Sequence, residues 1–278
     1  MKRFFAALLT LLMLLALAPV LPSPTASAEE VTINVYNWGQ YISDGSDGYI
    51  DVNAAFTEAT GIKVNYMTFD SNETMYTKLK TGGSSYDVII PSDYMIARLI
   101  EEDMLEELDF DNIPNYQYVG ESYKSTAYDP DNEYSVPYTW GTVGIIYNTK
   151  MVDEPITSWG AMFDEKYAGQ VLMINNSRDA LMAALCYLGY DINTTDEAQL
   201  TEAFELVKNA KDKGVYQAFV MDEIFGKMEG SNAAISMYYA GDYLTMLENN
   251  EDLAFVVPEE GSNWFVDAMC VLKSSQHK

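Results

Sequence analysis

One histidine and two cysteines are present in 278 residues. His277 lies in a polar tail, so Ser-His-Asp and Cys-His catalysis lack their base, and a histidine-built metal site is excluded. Positive charge is also scarce: 16 Lys+Arg stand against 42 Asp+Glu, a net charge of -26. A nucleic-acid binder carries a basic footprint, so that partner class is excluded. The acid surplus draws cationic ligands over distance, and it also serves plain solubility. Cys186 and Cys270 each sit in an apolar run. They suit either a disulfide formed in an oxidising compartment or two buried thiols. Internal repeats and low-complexity tracts are absent.

What is present supports a folded, exported protein. Hydrophobic residues make up 48% of the chain, enough for a substantial core, and the length suits two ordinary domains or one large one. Residues 1–28 read as a cleavable signal peptide. Lys2 and Arg3 form its basic start, Phe4 to Leu17 its apolar stretch, and Ala26-Ser27-Ala28 its small-residue cleavage site. Pro19, Pro22 and Pro24 interrupt the apolar run, which argues against a membrane anchor. No cysteine stands near the signal to carry a lipid. A periplasmic or otherwise extracytoplasmic location is expected.

Beyond the leader, strand and helix patterns alternate, which predicts mainly parallel sheets covered by helices. Val31, Ile33 and Val35 alternate as a first strand that runs into Trp38 and Tyr41. Asp47 is expected to cap a helix with apolar residues at Tyr49, Val52, Phe56 and Ala59, ended by Gly61. Ile62, Val64 and Tyr66 form a second strand. Ser71 opens a helix closed by Gly82-Gly83, and Val88 to Ile90 is a buried strand stopped by Pro91. Met95, Ile96, Leu99 and Ile100 mark another helix. Ser135 to Asn148 is long for one strand and holds glycines, which mark bends or close approaches; it reads as a crossover between domains. In the second half, strands are predicted at Val171 to Ile174, Ala234 to Tyr239 and Leu253 to Val257. Helices are expected from Asp179 to Leu188 and after a capping box at Thr194 to Glu197, with Leu200, Phe204 and Val207 on its apolar face. Asp242 is read as the cap of a further helix, and Trp264 to Leu272 as the return crossing.

Aromatics and carboxylates recur at the strand ends: Trp38 and Tyr41, Ser92 to Tyr94, Asn176 and Asp179, Tyr239 and Asp242, Phe265 and Asp267. Such a set suits a protonated amine, because ring faces attract cations and carboxylates give charge-assisted hydrogen bonds. Taken singly, each has an ordinary structural role. Asp179 at a helix start is an ordinary cap, and each aromatic an ordinary core residue. Asp267, inside an otherwise apolar strand, has no such account.

Tyr36 to Tyr41, Glu58 to Val64, Ser71 to Lys80, Tyr86 to Val88 and Pro91 to Tyr94 resemble the spermidine/putrescine-binding proteins of bacterial ABC importers. So do Val136 to Gly141, Thr157 to Trp159, Met228 to Gly230 and Trp264 to Asp267. The resemblance implies an α/β, two-lobed periplasmic-binding-protein fold (type II), each lobe a mainly parallel sheet flanked by helices. Lobe 1 would comprise 31–139 plus 266–278, and lobe 2 would comprise 140–265. The family's C-terminal part has no counterpart here, so the chain reads as an unfinished domain. By position, Trp38, Tyr41, Ser92, Tyr94, Asn176, Asp179, Tyr239, Phe265 and Asp267 fall at ligand-binding places. Asp179 and Asp267 would pair with ammonium groups while the rings enclose the methylene chain. Asn176 stands where the spermidine binder has a carboxylate, Tyr239 and Phe265 replace tryptophans, and Gly39 replaces a hydroxyl residue.

The resemblance further implies a polyamine ligand, putrescine or spermidine, a membrane permease as partner, a monomer, no cofactor and no enzymatic activity. Two rivals remain at this stage. Tyr238-Tyr239 is an adjacent pair of the kind that ferric-ion binders use. Asp179 and Asp267 facing one another would suit a glycosidase.

Overall fold

The computed structural model describes residues 31–82 and 85–278. The expected signal peptide lies outside the described residues. Among the described residues, nine strands form one hydrogen-bonded sheet in the order β2-β1-β3-β9-β4-β7-β5-β6, with β8 branching from β4. The strands are β1 Thr32–Trp38, β2 Lys63–Phe69, β3 Val88–Ile89, β4 Val136–Asn148, β5 Val171–Ile174, β6 Tyr216–Val220, β7 Ile235–Tyr239, β8 Leu253–Val256 and β9 Trp264–Val271. Two parallel groups, β2-β1-β3 and β7-β5-β6, are joined through antiparallel β9 and β4.

The predicted crossovers are the joint. The first half of β4 pairs with β9, from Val136 opposite Met269 to Thr142 opposite Trp264. Its second half, from Val143 on, pairs with β7 and then β8. The other end of β9 pairs with β3. Side chains form two principal cores. One gathers Tyr36, Phe69, Met75, Ile89, Met95, Ile96 and Leu99 with Ala268 and Cys270. The other is built on β5, β7 and the far half of β4, with Trp159 fully buried among them. Cys270 belongs to the first core and Cys186 to the second, and both are free buried thiols. The pairing alternative therefore falls.

Helix ends follow local chemistry, with corrections. Helix α1 is Val52–Thr60, and its cap is Asp51, whose carboxylate accepts from Ala54 N at 2.9 Å, not the expected Asp47. Tyr49, expected on the helix, precedes it and is 67% exposed, and the helix's own Val52 and Phe56 are 40% and 38% exposed. Helix α2, Asn72–Thr81, opens on a reciprocal capping box between Ser71 and Thr74. Helix α3 is Asp93–Glu101 and α4 is Ser177–Leu188, the latter capped by Asn176 and ended by Gly189 in the left-handed region, φ 76°. Helix α5, Glu197–Asp212, is capped by Asp196 alone, without the expected reciprocal box. Phe204 on it faces solvent, because α5 packs its Ala203 side on α4 instead. Helices α6, Ile224–Glu229, and α7, Ala240–Asn249, complete the order. Asp242 makes no capping bond: α7 follows Tyr239 with no side-chain cap, so that reading is corrected.

The crossover glycines mark close approach. A Cβ on Gly141 would lie 2.8 Å from Phe265 Cζ. One on Gly144 would lie 2.3 Å from Phe255 Cζ and 2.5 Å from the Val256 carbonyl oxygen. The carbonyl belongs to β8 and has little room to yield. Gly144→Ala is therefore expected to destabilise the protein by about 1–3 kcal/mol, the usual cost of overpacking, read as a lower urea midpoint at unchanged slope.

Candidate functional site

Strands β1, β3, β5, β6 and β7 all end toward the junction between the two cores, where ligands bind in α/β sheets. A cavity of about 480 Å³ opens there, and all nine residues expected from the sequence line it. Trp38 closes β1 and tilts against Phe69 at 4.6 Å between ring centres. Its indole nitrogen is buried without a protein partner among the described residues. Tyr239 closes β7 and meets Phe265 edge-on at 5.6 Å. Phe265 lies over Gly141, whose missing side chain leaves the space.

The carboxylates are held unusually dry. Asp267 is 3% exposed. Its Oδ2 accepts from the Tyr41 hydroxyl at 2.6 Å, while Oδ1 has no protein partner among the described residues. Burial pushes its acid up to about 7, against the help of Tyr41 and Ser92. Asp179, 6% exposed, accepts from the Tyr239 hydroxyl at 3.1 Å, and burial pushes it up to about 6. It is not the helix cap; Asn176 is, its Oδ1 accepting from Arg178 N at 3.0 Å and Asp179 N at 3.3 Å. That oxygen is committed to the backbone, so Asn176 sits in the wall with its side-chain amide nitrogen as the group left to meet a ligand. Ser92 bridges to Asp267 through the backbone. Tyr94 is fixed by its hydroxyl, which accepts from Asn72 at 3.1 Å and donates to Glu73 at 2.9 Å.

Sequence reading missed part of the wall. Asp222 lines the cavity unforeseen, and so does Asp242, which the sequence places at a strand end but which reads there as a helix cap. Burial, reinforced by Asp222, pushes Asp242 up to about 7. Asp222 follows β6, a short strand whose pattern Tyr-Gln-Ala-Phe-Val gives a weak alternation; with β6 recognised, the strand-end rule would have found it. Asp222 also explains Gly39: a Cβ there would lie 2.5 Å from Asp222 Oδ2. Where the resemblance expects a hydroxyl side chain, this chain places a carboxylate from across the cavity. Arg178 was missed as well; its guanidinium lies 4.2 Å from the Tyr94 ring centre.

Among the described residues, six aspartates (70, 93, 179, 222, 242 and 267) and one guanidinium line the cavity. Buried carboxylates without counter-charge are costly, so the wall favours a ligand that brings positive charge and apolar length together. Tyrosinate ligation of iron is disfavoured. The Tyr238 and Tyr239 hydroxyls donate to Asp222 and Asp179, and burial with those neighbours drives both phenols strongly toward the protonated form.

Comparison with known proteins agrees with this geometry. A spermidine/putrescine-binding periplasmic protein of Salmonella typhimurium is 32% identical over 258 residues, 92% of this chain and 72% of the relative. A putrescine-binding periplasmic protein of Pseudomonas aeruginosa is 31% identical, covering 100% of this chain and 77% of the relative. Among solved structures, the spermidine/putrescine ABC transporter substrate-binding protein of Streptococcus pneumoniae is 39% identical. It superposes with a TM-score of 0.69 over 88% of this chain and 74% of its own. The fold is that of the type II periplasmic binding proteins. The family model for bacterial extracellular solute-binding proteins matches residues 52–278, and the chain belongs to that family.

Proposed function

We propose that this chain captures a polyamine, putrescine or spermidine, between two lobes and delivers it to the membrane permease of an ABC importer. The observation that carries this reading is Asp267: a carboxylate 3% exposed, one oxygen unpartnered by protein, set among aromatic rings. An ammonium group would satisfy that oxygen, and the rings of Trp38, Tyr41, Tyr94, Tyr239 and Phe265 would cover the methylenes. Asp179 and the Asp222–Asp242 pair offer further places for positive charge. The names of the similar proteins, which are spermidine and putrescine binders, support the same ligand class.

The two principal cores support lobes at 31–139 plus 266–278 and at 140–265. We further propose export by the 1–28 signal peptide to the periplasm, action as a monomer, and reversible binding without catalysis. Ligand-driven closure would follow from the ligand's preference for the closed state.

Calorimetric titration with putrescine and spermidine is expected to show stoichiometric binding and a raised melting temperature. No heat and no thermal shift with either amine in excess overturns the reading. Asp267→Asn should lose at least tenfold in affinity, because a charge-assisted bond to a buried carboxylate is worth about 1.5–3 kcal/mol. Asn176→Asp should shift preference toward the triamine, read as the ratio of the two dissociation constants.

Asp179, Asp242 and Asp267 hold their protons to about 6, 7 and 7 in the fold, above the ordinary aspartate value of 3.8. Between roughly pH 4 and 7 the folded state therefore binds more protons than the unfolded chain, and these groups lower stability as pH rises through that window. The urea midpoint of the ligand-free protein should fall from about pH 5 to 7.5. A bound dication reverses the preference and expels those protons. Titrations near pH 6 in buffers of different ionisation enthalpy should show proton release that fades by about pH 8.

A further inference from the structure

Arg178 is the single cation among the described residues that line the cavity, and its place in the helix gives no reason for it. It is the second residue of α4, where positive charge opposes the helix dipole. No ion pair holds its guanidinium among the described residues. What it does meet is the ring of Tyr94, 4.2 Å from guanidinium carbon to ring centre. That ring is pre-set by its hydroxyl bonds to Asn72 and Glu73.

The two partners belong to different bodies. Tyr94 begins α3, whose Met95, Ile96 and Leu99 are buried in the first core. Arg178 begins α4, whose Ala180, Met182 and Ala183 are buried in the second. The stack therefore links the two sides of the cavity that both residues line. Other approaches across the junction set Tyr123 against Trp140 and Trp264, and Asp222 opposite Gly39, but none of these brings a cation to a ring.

We propose that Arg178 is a positioning residue that latches the two sides of the cleft by stacking on Tyr94, and so strengthens binding by favouring the closed state without touching the ligand. Its effect on ligand affinity rests on the polyamine reading above; its effect on closure does not. The latch and simple electrostatics predict opposite signs. Deleting a positive charge beside an acidic cleft should tighten binding of a cation by Coulomb attraction alone. Deleting a latch should loosen it.

The test compares wild type, Arg178→Ala and Arg178→Lys. Spin labels go on cysteines introduced at the exposed positions Glu58 and Glu205, since both native thiols are buried. Without ligand, the alanine variant should shift the label distances to longer values. Its putrescine affinity should fall about two- to fivefold, the scale of one exposed cation–π contact, at an unchanged putrescine-to-spermidine ratio. Lysine keeps the charge but loses the planar stack, and should fall between the two. Tighter putrescine binding in Arg178→Ala, or label distances identical to wild type, overturns the latch. If wild type binds neither amine, the polyamine reading fails, and the label distances alone decide the latch.

Discussion

The structure is organised around a cost: carboxylates kept out of water with too little positive charge to answer them. Asp179 and Asp267 are each less than a tenth exposed, and their protein partners are tyrosine hydroxyls, which help without neutralising. Isolated, such groups retain their protons well above the usual carboxylate range. The fold thus stores an unfavourable interaction that a suitable cation would remove, and under the proposed function binding would draw part of its strength from that relief. The surrounding rings sharpen the demand. They exclude water, which raises the cost of the lone charge, and they present negative faces, which favour a cation of low charge density with apolar stretches between its charges.

Much of this could be read from residues alone because it depends on strand ends, and strand ends are marked by local chemistry. Trp38 after an alternating run, Pro91-Ser92 after a buried triplet, and a charged Asp267 inside an apolar strand are each visible without coordinates. The β4 crossover was also readable, since Gly141 and Gly144 interrupt a run too long for one ordinary strand.

What escaped was of two kinds. Capping competes among neighbouring polar residues, and nothing short of backbone geometry decides between Asp47 and Asp51, or shows that Asp242 caps nothing. The weakly patterned β6 left Asp222 without a strand to follow. Its meeting with Gly39 is set by how two distant segments are brought face to face, and no local signal reports it. Arg178 shows the same limit: its neighbour in space, Tyr94, lies more than eighty positions away along the chain.

Strands β4 and β9 carry a consequence of their own. They are at once the connection between the cores and part of the cavity floor, through Thr139, Gly141, Phe265 and Asp267. If the cores turn about this connection, as the proposed closure requires, a molecule resting there would rest on the pivot. Rotation about a pivot displaces distant points most and the axis least, so the floor would keep its shape while the rim swung. Capture would then be sequential: the floor grips an incoming solute while the molecule is still agape, and the rim follows.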